Sequence, residues 1–555
     1  MKPGSSTGFT DAVAAQARLI EALRRPECFA HPVSRIELIE THISTVLLTG
    51  EFAYKIKKPV NLGFLDFTTL ERRRRCCEEE LRLNRRTAPG LYLDVVAITG
   101  GSEHPAVDGE GTAIEYAVRM RQFAPDQTFD ALLRRGELTP TRLDDLAASV
   151  AAFHGAIEVA ALASGYGAPE QVRAAALDNF EQIRSLVGDG PAREALSRLR
   201  TWTEAEFARL REVMEERRAG GFVRECHGDL HLGNVALVDG RPLPFDCIEF
   251  NDALRWIDVM SEVAFTVMDL LGHGEGALAF RYLNAYLEAT GDYAGITVLP
   301  FYLVYRALVR AKIAVIRSRQ RGAPQQARQQ SCGEFERYLG LGETLTERRR
   351  PVLIITCGLS GSGKTTVARL LAESLGAIRI RSDVERKRLY GLAPAARAGA
   401  AVGAGLYGPQ ATAATYAHLA RLARTVLPSG FPVIVDAAFL RRPERSAFRN
   451  IARASGAGFL IVACQAPLAV LRSRVMARER TGHDASDATL AVLEMQVANR
   501  EPLAAEELPD TVFCETSDPD RRAALLAEVE ARLATRDDSP RIDSDQAAVT
   551  PAEAS

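Results

Sequence analysis

Two stretches of this chain hold residue types at spacings that suit phosphoryl transfer. One of them, Gly358-Leu-Ser-Gly-Ser-Gly363-Lys364-Thr365, matches G-x-x-x-x-G-K-[ST] at every fixed position. An apolar run, Val352 to Cys357, precedes it, and Thr366 to Leu375 follows with helical apolar spacing before Gly376. Strand, glycine turn and helix N-terminus form the setting in which such a loop cradles a polyphosphate. Gly358, Gly361 and Gly363 would let backbone N–H groups crowd around phosphates, with Ser360, Ser362 and Thr366 beside them. Lys364 would reach the outer phosphates, and the Thr365 hydroxyl would ligate Mg²⁺. ATP with Mg²⁺ is the cofactor this motif predicts.

The other stretch is His227-Gly-Asp229-Leu-His231-Leu-Gly-Asn234, followed by Leu243-Pro-Phe-Asp246. An aspartate, an asparagine five positions on, and a second aspartate after an apolar strand form a pattern known from phosphoryl transfer. The first acid takes a proton from the acceptor hydroxyl, and the other two residues hold Mg²⁺ against ATP phosphates. A zinc reading of His227-x-Asp229-x-His231 is the weaker one, because no third ligand follows at metal spacing.

Downstream of the glycine loop, Asp383 falls at the end of the second expected strand of that half, where a parallel sheet presents residues to ligands. Asp436 ends an apolar strand and suits Mg²⁺ or its water shell. Arg474 and Arg478 share a helix face and could clamp transferring phosphates; an exposed arginine helix is the plainer alternative. For Asp383 the plainer alternative is a helix cap.

These elements carry two resemblances. The H-G-D-x-x-x-x-N loop with its following aspartate resembles the aminoglycoside phosphotransferase and choline kinase group, relatives of the protein kinases. That resemblance implies Asp229 as catalytic base, Asn234 and Asp246 as metal ligands, and His227 as a brace of the loop. It also implies a strand lysine paired with a helix glutamate. Lys55 and Glu80 are the preferred pair, with Lys57 and Glu79 open as alternatives. No G-x-G-x-x-G loop precedes them, so Ser44, Thr45 and nearby backbone would have to meet phosphates there. The second half resembles P-loop kinases that include phage polynucleotide kinase, chloramphenicol phosphotransferase and the zeta toxins. That likeness implies Asp383 as base, Arg386 as an acceptor contact, and Arg474 and Arg478 as lid residues. The order of the two halves resembles bacterial fusions of an aminoglycoside phosphotransferase-like domain with a P-loop kinase domain.

Positioning these groups requires two domains. Over 30–123, alternating apolar stretches predict antiparallel strands with one charged helix, a small lobe; over 124–320 the pattern is mostly helical. The expected first domain is thus 1–340, α+β, two-lobed and protein-kinase-like. Gln-, Arg- and Gly-rich 320–350 reads as a linker, within which Phe335 to Leu341 could dock as a turn. Strand and helix then alternate over 351–535, which predicts an α/β P-loop domain with a parallel sheet covered on both faces. Residues 536–555 read as a disordered tail.

A net charge of −2 supplies no general field for nucleic acid. No apolar run is long enough to span a bilayer, and nine cysteines without any C-x-x-C pair fit a reduced, cytoplasmic setting. The expected activity is transfer of the ATP γ-phosphate to a hydroxyl of a small acceptor at two sites. For the second half, a nucleotide or sugar nucleotide would suit Arg386. An ATP-binding regulatory protein without turnover, or an RNA or nucleotide end kinase, are the alternatives.

Overall fold

A computed structural model describes residues 6–61, 65–320, 324–347, 350–393, 408–481 and 488–537 of the protein. The chain divides into two compact units, Met1–Glu347 and Arg348–Ser555.

In the first unit, helix α1 (Ser6–Ala22) precedes strands β1 (Glu37–Glu40), β2 (Ser44–Leu48) and β3 (Phe52–Lys57). Helix α2 (Leu70–Asn84) then leads to β4 (Tyr92–Gly100), β5 (Pro105–Val107) and β6 (Glu115–Arg121). The strands form one antiparallel sheet of order β1-β2-β3-β6-β4-β5. Apolar side chains on one face (Leu47, Tyr54, Ile56, Val96, Ile98) pack with Leu19 of α1 and with Leu23 just beyond its end. The α2 N-terminus is capped by Thr69, whose side chain accepts from Arg72 N–H, and its buried residues are Arg73, Cys77, Glu80, Leu83 and Asn84. That i, i+4, i+7 stripe turns Glu80 inward and leaves Glu79 at the edge.

The remainder of this unit is largely helical: α3 (Phe129–Arg134), α4 (Pro140–Ala156), α5 (Pro169–Leu186) and α6 (Pro191–Ala219). Strands β7 (Val223–Glu225), β8 (Val235–Val238), β9 (Arg241–Pro244) and β10 (Trp256–Asp258) form two small antiparallel ladders that flank the 226–234 loop. Helices α7 (Val259–Gly272), α8 (Gly276–Thr290) and α9 (Leu299–Ser318) follow. The small-lobe and helical-lobe order is protein-kinase-like, as the sequence resemblance implies.

The expected linker over 320–350 is corrected by the structure. Residues Gln325–Thr346 form helix α10, whose buried residues Phe335, Tyr338, Leu339 and Gly342 fall at i, i+3, i+4 and i+7. The docked turn expected over Phe335 to Leu341 is thus the middle of a continuous helix that packs on α9, its length masked by the polar composition around it. Gly272 of α7 is the matching close approach, because a Cβ there would meet the Tyr338 ring at 2.7 Å. Tyr338 donates its hydroxyl proton to Asp269 Oδ1 at 2.5 Å, and Asp269 Oδ2 accepts from Leu232 N at 3.0 Å. Removing that buried donor by Tyr338→Phe is expected to lower unfolding stability by about 1–3 kcal/mol. Urea denaturation measures it, and an unchanged midpoint would contradict this role for α10.

The second unit alternates strand and helix: β11 (Val352–Cys357), α11 (Lys364–Leu375), β12 (Ile378–Arg381), α12 (Ser382–Leu389), α13 (Pro409–Val426) and β13 (Val433–Asp436). It continues with α14 (Arg442–Ala454), β14 (Gly458–Gln465), α15 (Leu468–Thr481), α16 (Leu490–Asn499), β15 (Thr511–Glu515) and α17 (Pro519–Asp537). The strands form a fully parallel sheet of order β12-β13-β11-β14-β15. Residues of α11 and α17 pack with Ile354, Ile434 and Leu460 in one core, and α13 and α14 contact the same sheet. The order reverses at β11, so the glycine loop leaves the sheet at its switch point. Of the tail expected at 536–555, residues 536 and 537 end α17 and the rest lies outside the described residues, as does 394–407 of the Gly- and Ala-rich stretch at 391–408. All nine cysteines are free thiols, and among the described residues no helix is long and apolar enough to cross a membrane.

Candidate functional sites

In the first unit, β3 places Lys55 and Lys57 on one face, since alternate residues of a strand share a side. Lys55 Nζ donates to Glu80 Oε1 at 2.8 Å and also to Asp246 Oδ1. Lys57 bonds to the other Glu80 oxygen and to Glu249. Glu80 therefore bridges both lysines, while Glu79 pairs with Arg82 and Arg255 at the rim. Burial alone would raise the Asp246 pKa, but the Lys55 ammonium more than offsets this and holds it below the usual carboxylate range. Asp246 has φ +65°. Its N–H donates to Tyr92 Oη at 3.1 Å, and Cys247 N–H to Asn84 Oδ1 at 2.9 Å, which fixes this left-handed turn.

Across the cleft, Asn234 Nδ2 donates to Asp229 Oδ2 and to the Asp229 carbonyl, both at 3.0 Å. The Asp229 side chain is 35% exposed, so its carboxylate is open to a reactant. His227 is fully buried, with Nε2 2.8 Å from the Phe245 carbonyl. His231 Nδ1 accepts from Gly233 N–H. These engagements leave no convergent zinc set at His227, Asp229 and His231.

Two residues that sequence reasoning missed hold this loop from α7. Glu262 Oε1 accepts from His227 N–H at 2.5 Å and Gly228 N–H at 2.8 Å, while its other oxygen meets His154 Nε2 at 2.7 Å. Asp269, seven residues later, accepts from Leu232 N–H. Two acids two turns apart in an otherwise apolar helix were the available signal, because buried carboxylates need a partner. Glu262 also lies with His154 and Cys226 in a compact donor cluster, but both its oxygens are committed to the loop and to His154.

Ser44 pairs in register with Lys57, so it shares the lysine face of the sheet. Its hydroxyl is fully buried without a hydrogen-bond partner. Ser44→Ala is therefore expected to cost no stability, and to weaken nucleotide binding by the first unit several-fold if the hydroxyl meets a phosphate. Calorimetry and a thermal melt separate the two effects; a lower melting temperature with unchanged affinity would contradict this assignment.

In the second unit, the glycine loop is shaped by contacts that exclude side chains. A Cβ at Gly358 (φ +154°) would lie 2.4 Å from the Cys464 carbonyl, and one at Gly361 (φ +80°) 2.8 Å from the Leu471 carbonyl. Ser360 N–H donates to Gln496 Oε1 at 2.8 Å. The Ser362 hydroxyl is buried with no partner. Gly363 is the left-handed N-cap of α11, ahead of Lys364, Thr365 and Thr366. Lys364 Nζ donates to the Leu359 carbonyl at 2.9 Å. Burial lowers the Lys364 pKa, opposed by Asp436 and, more weakly, Asp383. Asp436 is raised by burial and hydrogen-bonded by Thr365. Lys364, Thr365, Asp383 and Asp436 thus gather at one end of the sheet.

Asp383 stands at the second position of α12; Arg381 is the N-cap and makes no side-chain cap bond. The three arginines all have partners within the unit. Arg386 is buried and donates to Thr412 Oγ1 at 3.2 Å. Arg474 spends its fork on the Gly361 carbonyl at 3.2 Å, and on Thr516 Oγ1 and carbonyl at 2.9 and 3.1 Å. Arg478 donates to the Ala488 carbonyl at 3.2 Å. Sequence marked arginines on a helix face, but Thr516, which receives Arg474 and itself donates to Ser362 O at 2.9 Å, carried no local signal.

Residues 353–503 match the family model described as an AAA domain. A gluconokinase from Sinorhizobium meliloti 1021 is 26% identical, with 34% of this chain and 95% of that one covered at a TM-score of 0.25. An amicoumacin kinase in complex with AMP-PNP and Ca²⁺ is 11% identical, with 61% of this chain and 96% of that one covered at a TM-score of 0.38. The uncharacterized protein Rv2004c of Mycobacterium tuberculosis is 31% identical over 476 residues, which span 85% of this chain and 93% of that one. The 476 matched residues exceed either unit alone, so the match enters both, and the chain belongs to the family of this mycobacterial protein.

Proposed function

We propose that the protein is an ATP-dependent phosphotransferase with two sites, each moving the γ-phosphate of Mg·ATP to a hydroxyl of a small acceptor. The observation that supports this reading is a pair of contacts in the first unit: Lys55 meets both Glu80 and Asp246, and Asn234 meets Asp229. A module that only bound nucleotide would use the lysine and the metal ligands but have no need of Asp229.

In this reading Lys55 contacts the ATP phosphates, and Asn234 and Asp246 hold Mg²⁺, which neutralises charge on the phosphates. Asp229 accepts the acceptor's proton as the hydroxyl oxygen bonds to the γ-phosphorus. The bond from that phosphorus to the bridging oxygen breaks, and ADP leaves with the electron pair. In the second unit, the loop from Gly358 to Thr366 cradles the phosphates, Thr365 and Asp436 serve Mg²⁺, and Asp383 takes the proton. Arg386, Arg474 and Arg478, engaged with backbone and hydroxyl oxygens, act there as positioning residues. A panel of hydroxylated metabolites and nucleotides, assayed for labelled phosphate from γ-labelled ATP, tests the proposal. Product that depends on Asp229 or Asp383 supports it. ATP binding without transfer to any acceptor class would favour the regulatory alternative.

A further inference from the structure

Helix α2 carries Glu80, and its C-terminal turns are fastened to the helical lobe at two places. The first is Glu225, the last residue of β7 and two before His227. Arg82 grips this carboxylate with both arms of its fork, Nη2 to Oε1 at 2.6 Å and Nη1 to Oε2 at 3.2 Å. Arg86, just past the helix end, donates through Nη1 to Oε2 at 2.9 Å and to the Glu225 carbonyl at 2.6 Å. Its Nη2 reaches the Cys226 carbonyl at 3.2 Å. Arg255, just ahead of β10, joins them: Nε lies 3.3 Å from Glu225 Oε1, and Nη2 donates to Glu79 Oε1 at 2.9 Å.

The second fastening lies around Asp246. Asn84 Nδ2 donates to the Glu80 carbonyl at 2.8 Å, and Asn84 Oδ1 accepts from Cys247 N–H at 2.9 Å. Thr87 Oγ1 donates to the Pro244 carbonyl at 2.8 Å. Helix α2 is thereby tied both to the strand that leads into the Asp229 loop and to the segment that bears Asp246. The charges at the first fastening are balanced, since Glu79, Glu225 and Asp252, which is 2.6 Å from Arg255, match the three guanidinium groups. Such a cluster does not favour an anionic ligand. It holds a helix in place.

We propose that Glu225 is a positioning residue of the first site, fixing α2 so that Glu80 holds the Lys55 ammonium where nucleotide phosphates meet it. This rests on the kinase reading of that unit and adds a residue that acts through Glu80. Lys55 Nζ takes Glu80 Oε1 at 2.8 Å, and a shift of α2 by about 1 Å would carry that bond out of range. In protein kinases the placement of such a lysine–glutamate pair by its helix is a point of control. Here the contacts of α2 itself set it, from residues one turn or less away from Glu80 and from the turn that follows.

The test uses the full-length protein with Lys364→Ala, which silences the P-loop site, titrated calorimetrically with Mg·AMP-PNP. Failure of that nucleotide to bind before any change at Glu225 would sink the kinase reading of the first unit, and this proposal with it. Glu225→Gln keeps the shape but cannot accept from three guanidinium groups, and should weaken the nucleotide about tenfold. Arg82→Gln should do so by about threefold; the Arg82 side chain is 50% exposed, so this variant is compatible with folding. A thermal melt verifies both. Glu80→Gln closes a double-mutant cycle, with Lys55→Arg in its place if the buried glutamate does not tolerate change. Because Glu225 acts through Glu80, the combined variant should bind little more weakly than Glu80→Gln alone. With nucleotide bound by the background protein, losses that simply multiply would overturn the proposal and leave the kinase reading standing. So would unchanged affinity in folded Glu225→Gln or, where that variant does not fold, in Arg82→Gln.

Discussion

Replacing Asp229 by asparagine should slow phosphoryl transfer by the first unit by about two to four orders of magnitude, the usual effect of losing a general base. The substitution keeps the shape and an oxygen that can accept from Asn234 Nδ2, which lies 3.0 Å from Asp229 Oδ2. The loop itself is held by other groups: Glu262 takes the His227 and Gly228 N–H groups, and Asp269 takes that of Leu232. Folding and nucleotide affinity should therefore change little while the proton acceptor is lost. Single-turnover kinetics in a Lys364→Ala background isolate this unit. Normal turnover by the asparagine variant would remove Asp229 from the mechanism.

An equal loss is expected for Asp383→Asn in the second unit, with Asp229→Asn used as the background. Asp383 follows β12 at the ligand end of the sheet, and its carboxylate is among the charges acting on Lys364. If Asp383 served only the helix start, asparagine would replace it with little effect. Its position inside the first turn of α12, after an N-cap that makes no side-chain bond, removes the simplest form of that alternative. The measurement is transfer to an acceptor of this unit alongside ATP affinity and melting temperature. Full activity in Asp383→Asn would contradict its role as base.

The second unit was the more legible in sequence. The strands at 352–357 and 433–436 are buried apolar runs that stand out locally, whereas 378–381 alternates isoleucine with arginine and is marked by its place between helices. In the first unit, alternation placed Lys55 and Lys57 on one face, and the helical stripe of α2 turned Glu80 inward. What could not be read was pairing across long sequence gaps. Glu249 meets Lys57 from 192 residues away, and Tyr338 reaches Asp269 from a segment whose composition suggested a linker. Arg474 illustrates the same limit from the other side. Its helix position allowed a phosphate clamp, but the carbonyl of Gly361 and both oxygens of Thr516, brought close only by the sheet, take up its fork.

Each unit is expected to hold its own Mg·ATP site. Calorimetric titration of the intact protein with Mg·AMP-PNP counts these sites directly. Two per chain are expected in the wild type, one in Lys364→Ala, and one in Lys55→Ala. A wild-type count of one, abolished by Lys364→Ala, would contradict this and leave the first unit without a nucleotide.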